Sequence, residues 1–84
     1  MYKLLYHPRS LKFLKKVSKK DSKKIVEKID SLTKNPLSGT NIKKLATTQR
    51  SYRLRVGKIR VIYEVNDKER AIYIHDIDFR GNIY

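Results

Sequence analysis

The residues best equipped for chemistry in this chain are the arginines between positions 53 and 60. Arg53 and Arg55 alternate with Tyr52, Leu54 and Val56, and Arg60 follows in the run Ile59 to Val65. Alternation at period two marks a strand with one buried face, so Arg53 and Arg55 share a side. Gly57-Lys58 between the runs is a two-residue turn with glycine first, the pattern of a type II′ hairpin. Such a turn fixes the register. Val56 is expected opposite Ile59, Arg55 opposite Arg60, Leu54 opposite Val61, Arg53 opposite Ile62 and Tyr52 opposite Tyr63. One side is then apolar (Tyr52, Leu54, Val56, Ile59, Val61, Tyr63, Val65), and Arg53, Arg55, Arg60, Ile62 and Glu64 share the other. Two arginines directly opposite each other cost a sheet up to about 1 kcal/mol. No acid occurs between residues 31 and 63 to offset this. A guanidinium is a planar fork that matches phosphate and stays charged. Three on one small surface therefore predict a phosphate-type anion site. The competing expectation is a solvated face with salt bridges, in which Glu64 serves one arginine.

The remaining candidates carry less. His7 and His75 are the only histidines and stand far apart in the chain, with no second ligand type clustered near them. No metal site is expected: His7 beside Pro8 reads as a helix-start residue and His75 as a sheet residue. Asp76 and Asp78 alternate on the last strand, and ion pairs with neighbouring basic residues explain them better than a cation site. There is no phosphate-cradling glycine loop, no Ser/His/Asp order and no cysteine. Tyr84, four residues after Arg80, ends the sequence and has two open readings, stacking on a base or acting on a ribose hydroxyl versus a frayed end.

These side chains need elements to hold them. Tyr2, Leu4 and Tyr6 alternate with Lys3 and Leu5, a short strand. Pro8 suits the first turn of a helix, in which Leu11, Phe13, Leu14 and Val17 form an apolar stripe opposite Lys12, Lys15, Lys16 and Lys19. Ser18 and Asp21 restart a second helix as a capping box. It runs to about Thr33 on Ile25, Val26, Ile29 and Leu32, and Asn35-Pro36 stops it. From Ile42 the period becomes two. A third strand, Ala71 to Ile77, is apolar on both faces until Asp76 and so is expected inside the sheet; residues 78–84 are expected as a short tail. The order β-α-α-β-β-β predicts an α+β fold, an antiparallel helical hairpin packed on a small, mainly antiparallel sheet, as one domain over residues 1–84.

Length and charge bound the rest. Eighty-four residues allow one small domain, too little for a TIM barrel or a two-half dinucleotide fold. Without cysteine there is no disulfide scaffold or thiol nucleophile. No apolar run approaches the roughly 20 residues of a membrane span, and no secretory signal is visible at residues 1–8. Twenty-one Lys and Arg against eight Asp and Glu give a net charge of +13. A polyanion or acidic protein partner would relieve the resulting self-repulsion.

Taken together, these residues resemble the RelE/ParE toxin superfamily, and most its RelE branch of ribosome-dependent mRNA interferases. The resemblance rests on Tyr6 to Lys15, Asn35-Pro36, Asn41 to Leu45, Tyr52 to Val65 and Arg80 to Tyr84. It implies a fold like that of a microbial RNase, without that enzyme's usual His and Glu pair. It implies a toxin that enters the ribosomal A site in the cytoplasm and cleaves mRNA without metal or other cofactor. In that reaction the RNA's own 2′-hydroxyl attacks the adjacent phosphate, leaving a 2′,3′-cyclic phosphate and a 5′-hydroxyl. By the same resemblance Arg53, Arg55 and Arg60 surround the scissile phosphate, Arg80 supports the leaving group, and Tyr84 orients a base or helps take the 2′-hydroxyl proton. Lys43, Lys44, Arg50 and Lys58 are expected to contact mRNA or ribosomal RNA backbone. The sequence departs from many relatives at Arg53 and Arg55, where lysine also occurs, and at Phe79, where histidine is common. Arginine holds its proton too tightly to serve well in proton transfer.

Two other functions fit the same fold: a ParE-type inhibitor of DNA gyrase without nuclease activity, and a non-catalytic RNA-binding module. Either toxin implies an acidic, RelB-like antitoxin, expected as a heterotetramer with this chain.

Overall fold

The computed structural model describes residues 2–37, 39, 41–45 and 50–79. The described elements are β1 (Lys3–Tyr6), α1 (Pro8–Lys16), α2 (Lys19–Ser31), β2 (Ile42–Lys44), β3 (Ser51–Val56), β4 (Ile59–Asn66) and β5 (Ala71–Phe79). The strands form one sheet in the order β1-β5-β4-β3-β2. β1 runs parallel to β5 and every other pair is antiparallel. The α+β fold expected from the sequence is the one observed, with two differences. Ile42–Lys44 adds a short edge strand on β3, too brief to show alternation of its own. The last strand runs two residues further than expected because the ladder to β4 continues through Asp78 and Phe79.

Local chemistry sets the helix starts. His7 is the N-cap of α1, its Nδ1 accepting from the Arg9 amide at 3.1 Å, and Pro8 follows where a missing N–H costs nothing. Ser18 caps α2, with Oγ accepting from the Asp21 amide at 3.2 Å. The helices turn at Val17-Ser18, and each packs mainly on the sheet, α1 along β5 and α2 along β3. The stripe of α1 is rotated from the expected one. Ser10, Phe13, Leu14 and Val17 occupy the i, i+3, i+4, i+7 positions facing the core, and Leu11 is left 46% exposed. Ser10 is fully buried where the helix approaches β5 closely, and its Oγ donates to the Ile74 carbonyl at 3.2 Å.

The core forms under the helices. Ile25 and Ile29 of α2, with Leu32 at its C-cap, meet Leu54, Val61 and Tyr63 of the hairpin and Ile72, Ile74 and Ile77 of β5. Each buried aliphatic side chain contributes about 1.5–3 kcal/mol. Tyr63 is fully buried, stacked on Tyr52 with ring centroids 5.7 Å apart, and its hydroxyl donates to the Pro36 carbonyl at 2.6 Å. That bond pins the segment after α2 to the sheet. Among the described residues no helix is long and apolar enough to cross a membrane.

Candidate functional site

The β3–β4 register is residue for residue the one the turn requires: Val56 with Ile59, Arg55 with Arg60, Leu54 with Val61, Arg53 with Ile62 and Tyr52 with Tyr63. Gly57 sits at φ 59° and Lys58 is not at positive φ, as a II′ turn demands. β4 is buried at every second residue from Ile59 to Val65. Arg53, Arg55 and Arg60 therefore lie together on the face opposite the helices, the open face. Arg55 is exposed, and Arg53 and Arg60 are half-buried.

The short strand β2 enlarges this cationic surface. Lys43 pairs with Arg53, and the Asn41 carbonyl accepts from the Arg55 amide at 2.9 Å. Asn41, Ile42, Lys43, Arg53 and Arg55 line a shallow cleft of about 260 Å³. The other basic residues singled out from sequence lie elsewhere. Lys44 alternates away from Lys43 on the edge strand. Arg50 precedes β3 at the end remote from the turn, beside Leu37, Tyr52 and Lys68. Lys58 occupies the turn and borders a cleft with Asp21 and Lys24. Arg80 and Tyr84 lie outside the described residues.

The opposite margin of the open face is acidic, which a count of acids along residues 31–63 does not reveal. β5 places Asp78 opposite Arg60 and Asp76 opposite Ile62. The face is thus polarised, cationic on β2 to β4 and anionic on β5, so a phosphodiester is drawn to the β3–β4 side. Asp78 Oδ1 accepts from the Phe79 amide at 2.8 Å. Glu64 engages His75, its Oε1 lying 3.2 Å from His75 Nε2. The sequence treats these two residues separately, and nothing local announces their meeting across β4 and β5. Tyr73, opposite Glu64, donates its hydroxyl to Glu69 Oε1 at 2.9 Å. That bond, with some burial, raises the Tyr73 phenol above its usual value and keeps it protonated. Among the described residues no three His, Asp or Glu side chains converge to hold a metal ion.

Comparison with known proteins places this geometry in a family. Residues 4–84 match the family of ParE toxins of type II toxin–antitoxin systems. The chain belongs to that family. It is 39% identical over 80 residues to a Methanocaldococcus jannaschii protein that carries the name toxin RelE1, covering 93% of this chain and 89% of that one. Among solved structures it resembles a chain of the archaeal RelE–RelB complex from Pyrococcus horikoshii, at 32% identity and TM-score 0.85, covering 95% and 96% of the two chains. The isolated RelE toxin of E. coli has the same fold, with TM-score 0.82 at 20% identity over 94% of this chain and 84% of that one. The chain is therefore a toxin of the type II class, within the RelE/ParE superfamily its motifs resemble.

Proposed function

We propose that this toxin is an endoribonuclease that cleaves mRNA in the ribosomal A site, in the cytoplasm. The observation that carries the proposal is the directly opposed pair Arg55 and Arg60, flanked by Arg53 and Lys43 on one open face. Like charges so arranged repel, and a phosphate bound over them relieves that repulsion. In the reaction the substrate's 2′-oxygen attacks the adjacent phosphorus, and negative charge grows on the non-bridging oxygens. Preorganised guanidiniums at Arg53, Arg55 and Arg60 stabilise that charge more than the ground state. The nucleophile belongs to the RNA and the charge is met by arginines, so the chemistry needs no metal. Arg80 supports the departing 5′-oxygen and Tyr84 orients a base, the roles the family resemblance implies. Lys43, Lys44, Arg50 and Lys58 contact RNA backbone, Lys43 nearest the arginines. An acidic RelB-like antitoxin covers the cationic face in a heterotetramer; the solved RelE–RelB complexes of similar chains support such a partner.

Primer extension on translated mRNA, with and without ribosomes, together with end-group analysis of the products, tests the proposal. Cuts within A-site codons and a 2′,3′-cyclic phosphate terminus are expected. The family model carries the ParE name, which favours gyrase as the other target. Loss of DNA supercoiling without mRNA cuts establishes that target instead and overturns the nuclease.

A further inference from the structure

The ladder between β4 and β5 slips by one residue. Asp76 pairs with Ile62 and Ile74 with Tyr63, so His75 is an extra residue, a β-bulge. A bulge re-aims a side chain. Here His75 joins the open face 48% exposed and meets Glu64, itself 35% exposed, at 3.2 Å. The family resemblance carries no such histidine–carboxylate pair, so the bulge has supplied one at a new place.

Its position relative to the arginines follows from the register. Ile62 forms a half-buried apolar floor. Arg60 and Glu64 flank it along β4, Arg53 lies opposite on β3, and Asp76 with His75 borders it on β5. Same-face neighbours along a strand are about 7 Å apart, and directly opposed Cβ atoms are about 4.5–5.5 Å apart. A phosphate held by Arg53 and Arg60 thus sets its ribose over Ile62, within reach of the pair.

We infer that His75, oriented by Glu64, is a general base of this site. The inference rests on the nuclease reading above. An ionised carboxylate only accepts hydrogen bonds, so the Nε2 facing Glu64 carries the hydrogen of the neutral imidazole. The lone pair is then on Nδ1, free to take a proton, and Glu64 is the positioning residue that fixes the tautomer and the ring orientation. The step balances without a further reactant. The 2′-oxygen–phosphorus bond forms and the phosphorus–5′-oxygen bond breaks. His75 takes the 2′ proton, and the departing 5′-oxygen receives one from solvent. This assignment also meets a need: arginine, standing where some relatives have lysine, is too weak an acid to shuttle protons. The charged and titratable groups nearest His75 are Glu64 from β4, Tyr73 and Asp76 from its own strand, and His7 just after β1 with the Arg9 guanidinium of α1 on its ring; Arg60 and Arg53 lie further across β4 and β3. A merely structural surface ion pair stabilises a fold little and does nothing to a rate.

The experiment is single-turnover cleavage on mRNA-programmed ribosomes across pH 5–9, for the wild type, H75A, H75Q and E64Q. H75A is expected to lower the rate by about 100- to 10,000-fold and to remove the acidic limb of the pH–rate profile, with ribosome affinity unchanged. E64Q is expected to lower the single-turnover rate with ribosome affinity unchanged, which loss of a structural ion pair would not do. H75Q keeps a donor for Glu64 without a base, so it reports on chemistry if H75A folds poorly. Variants that cleave at the wild-type rate with the wild-type pH profile overturn the inference and leave the nuclease proposal standing. A wild type that does not cleave overturns both.

Discussion

Replacing Arg55 by threonine separates an arginine patch built for a ligand from one that supports the fold. Arg55 is the cleanest probe because it is exposed and faces Arg60 across β3–β4. Arg60 has Asp78 opposite it on its other side, so its removal would mix a lost attraction with a relieved repulsion. Threonine keeps strand propensity while deleting the charge. Relief of a directly opposed like-charge pair stabilises the sheet by about 0.2–1 kcal/mol. In a domain of this size that raises Tm by roughly 1–8 °C. A lost charged hydrogen bond to phosphate costs about 1.5–3 kcal/mol, so the Kd for a short single-stranded RNA rises roughly 10- to 150-fold. The slope of log K against log salt becomes shallower by about 0.7, one phosphate contact on a single strand. Circular-dichroism melts and fluorescence anisotropy from 50 to 200 mM salt measure both. The two effects have opposite signs. A Tm drop of several degrees with unchanged RNA affinity would refute the reasoning, because it would make the patch structural.

Other consequences are as definite. Tyr63→Phe leaves the Pro36 carbonyl without its 2.6 Å donor and is expected to cost about 1–3 kcal/mol, read as a lower urea midpoint with an unchanged m-value. Burial pushes the Tyr63 phenol well above its usual 10.0. Its stabilisation is complete below pH 10 and is lost as pH rises beyond the unfolded value, because the unfolded chain ionises first. Alkaline unfolding of the wild type should therefore steepen above pH 10, and Y63F should flatten that dependence. Gly57→Ala meets no atom within 4 Å but must hold φ at 59°. It is expected to cost about 1–2 kcal/mol from the backbone alone, seen as a lower Tm, and a neutral result would show that the turn relaxes to another type.

The hairpin and its arginines were legible in the sequence because both depend on short range. Period-two alternation assigns Arg53 and Arg55 to one side, and a two-residue turn leaves no freedom in what Arg60 faces. Caps were legible for the same reason: Ser18 and Pro8 act on groups within three residues of themselves. What needed the third dimension was missed. Leu11 fits a helical stripe as well as Ser10 does, and only the closeness of α1 to the Ile74 carbonyl selects the small residue for burial. Asp76 and Asp78 reach the arginines only through β4–β5 pairing. The slip at His75 shows in the sequence only as a change of parity, Ile72 and Ile74 giving way to Ile77, which a strand read as apolar on both faces disguises. β2 has three residues, and its pairing with β3 gives it an identity its composition does not.

The parallel pairing of β1 with β5 has a kinetic side. Lys3 finds its partner in Ala71, and at the same edge Arg70, held at φ 52°, lays its guanidinium 4.2 Å over the Tyr2 ring. These partners are 68 residues apart in the chain, so the entropy of closing a loop of that length is met before that edge contributes anything. During synthesis β1 waits for β5. The helices and the β3–β4 hairpin are available to form earlier, and the sheet closes on β1 only when β5 is free to dock between β1 and β4.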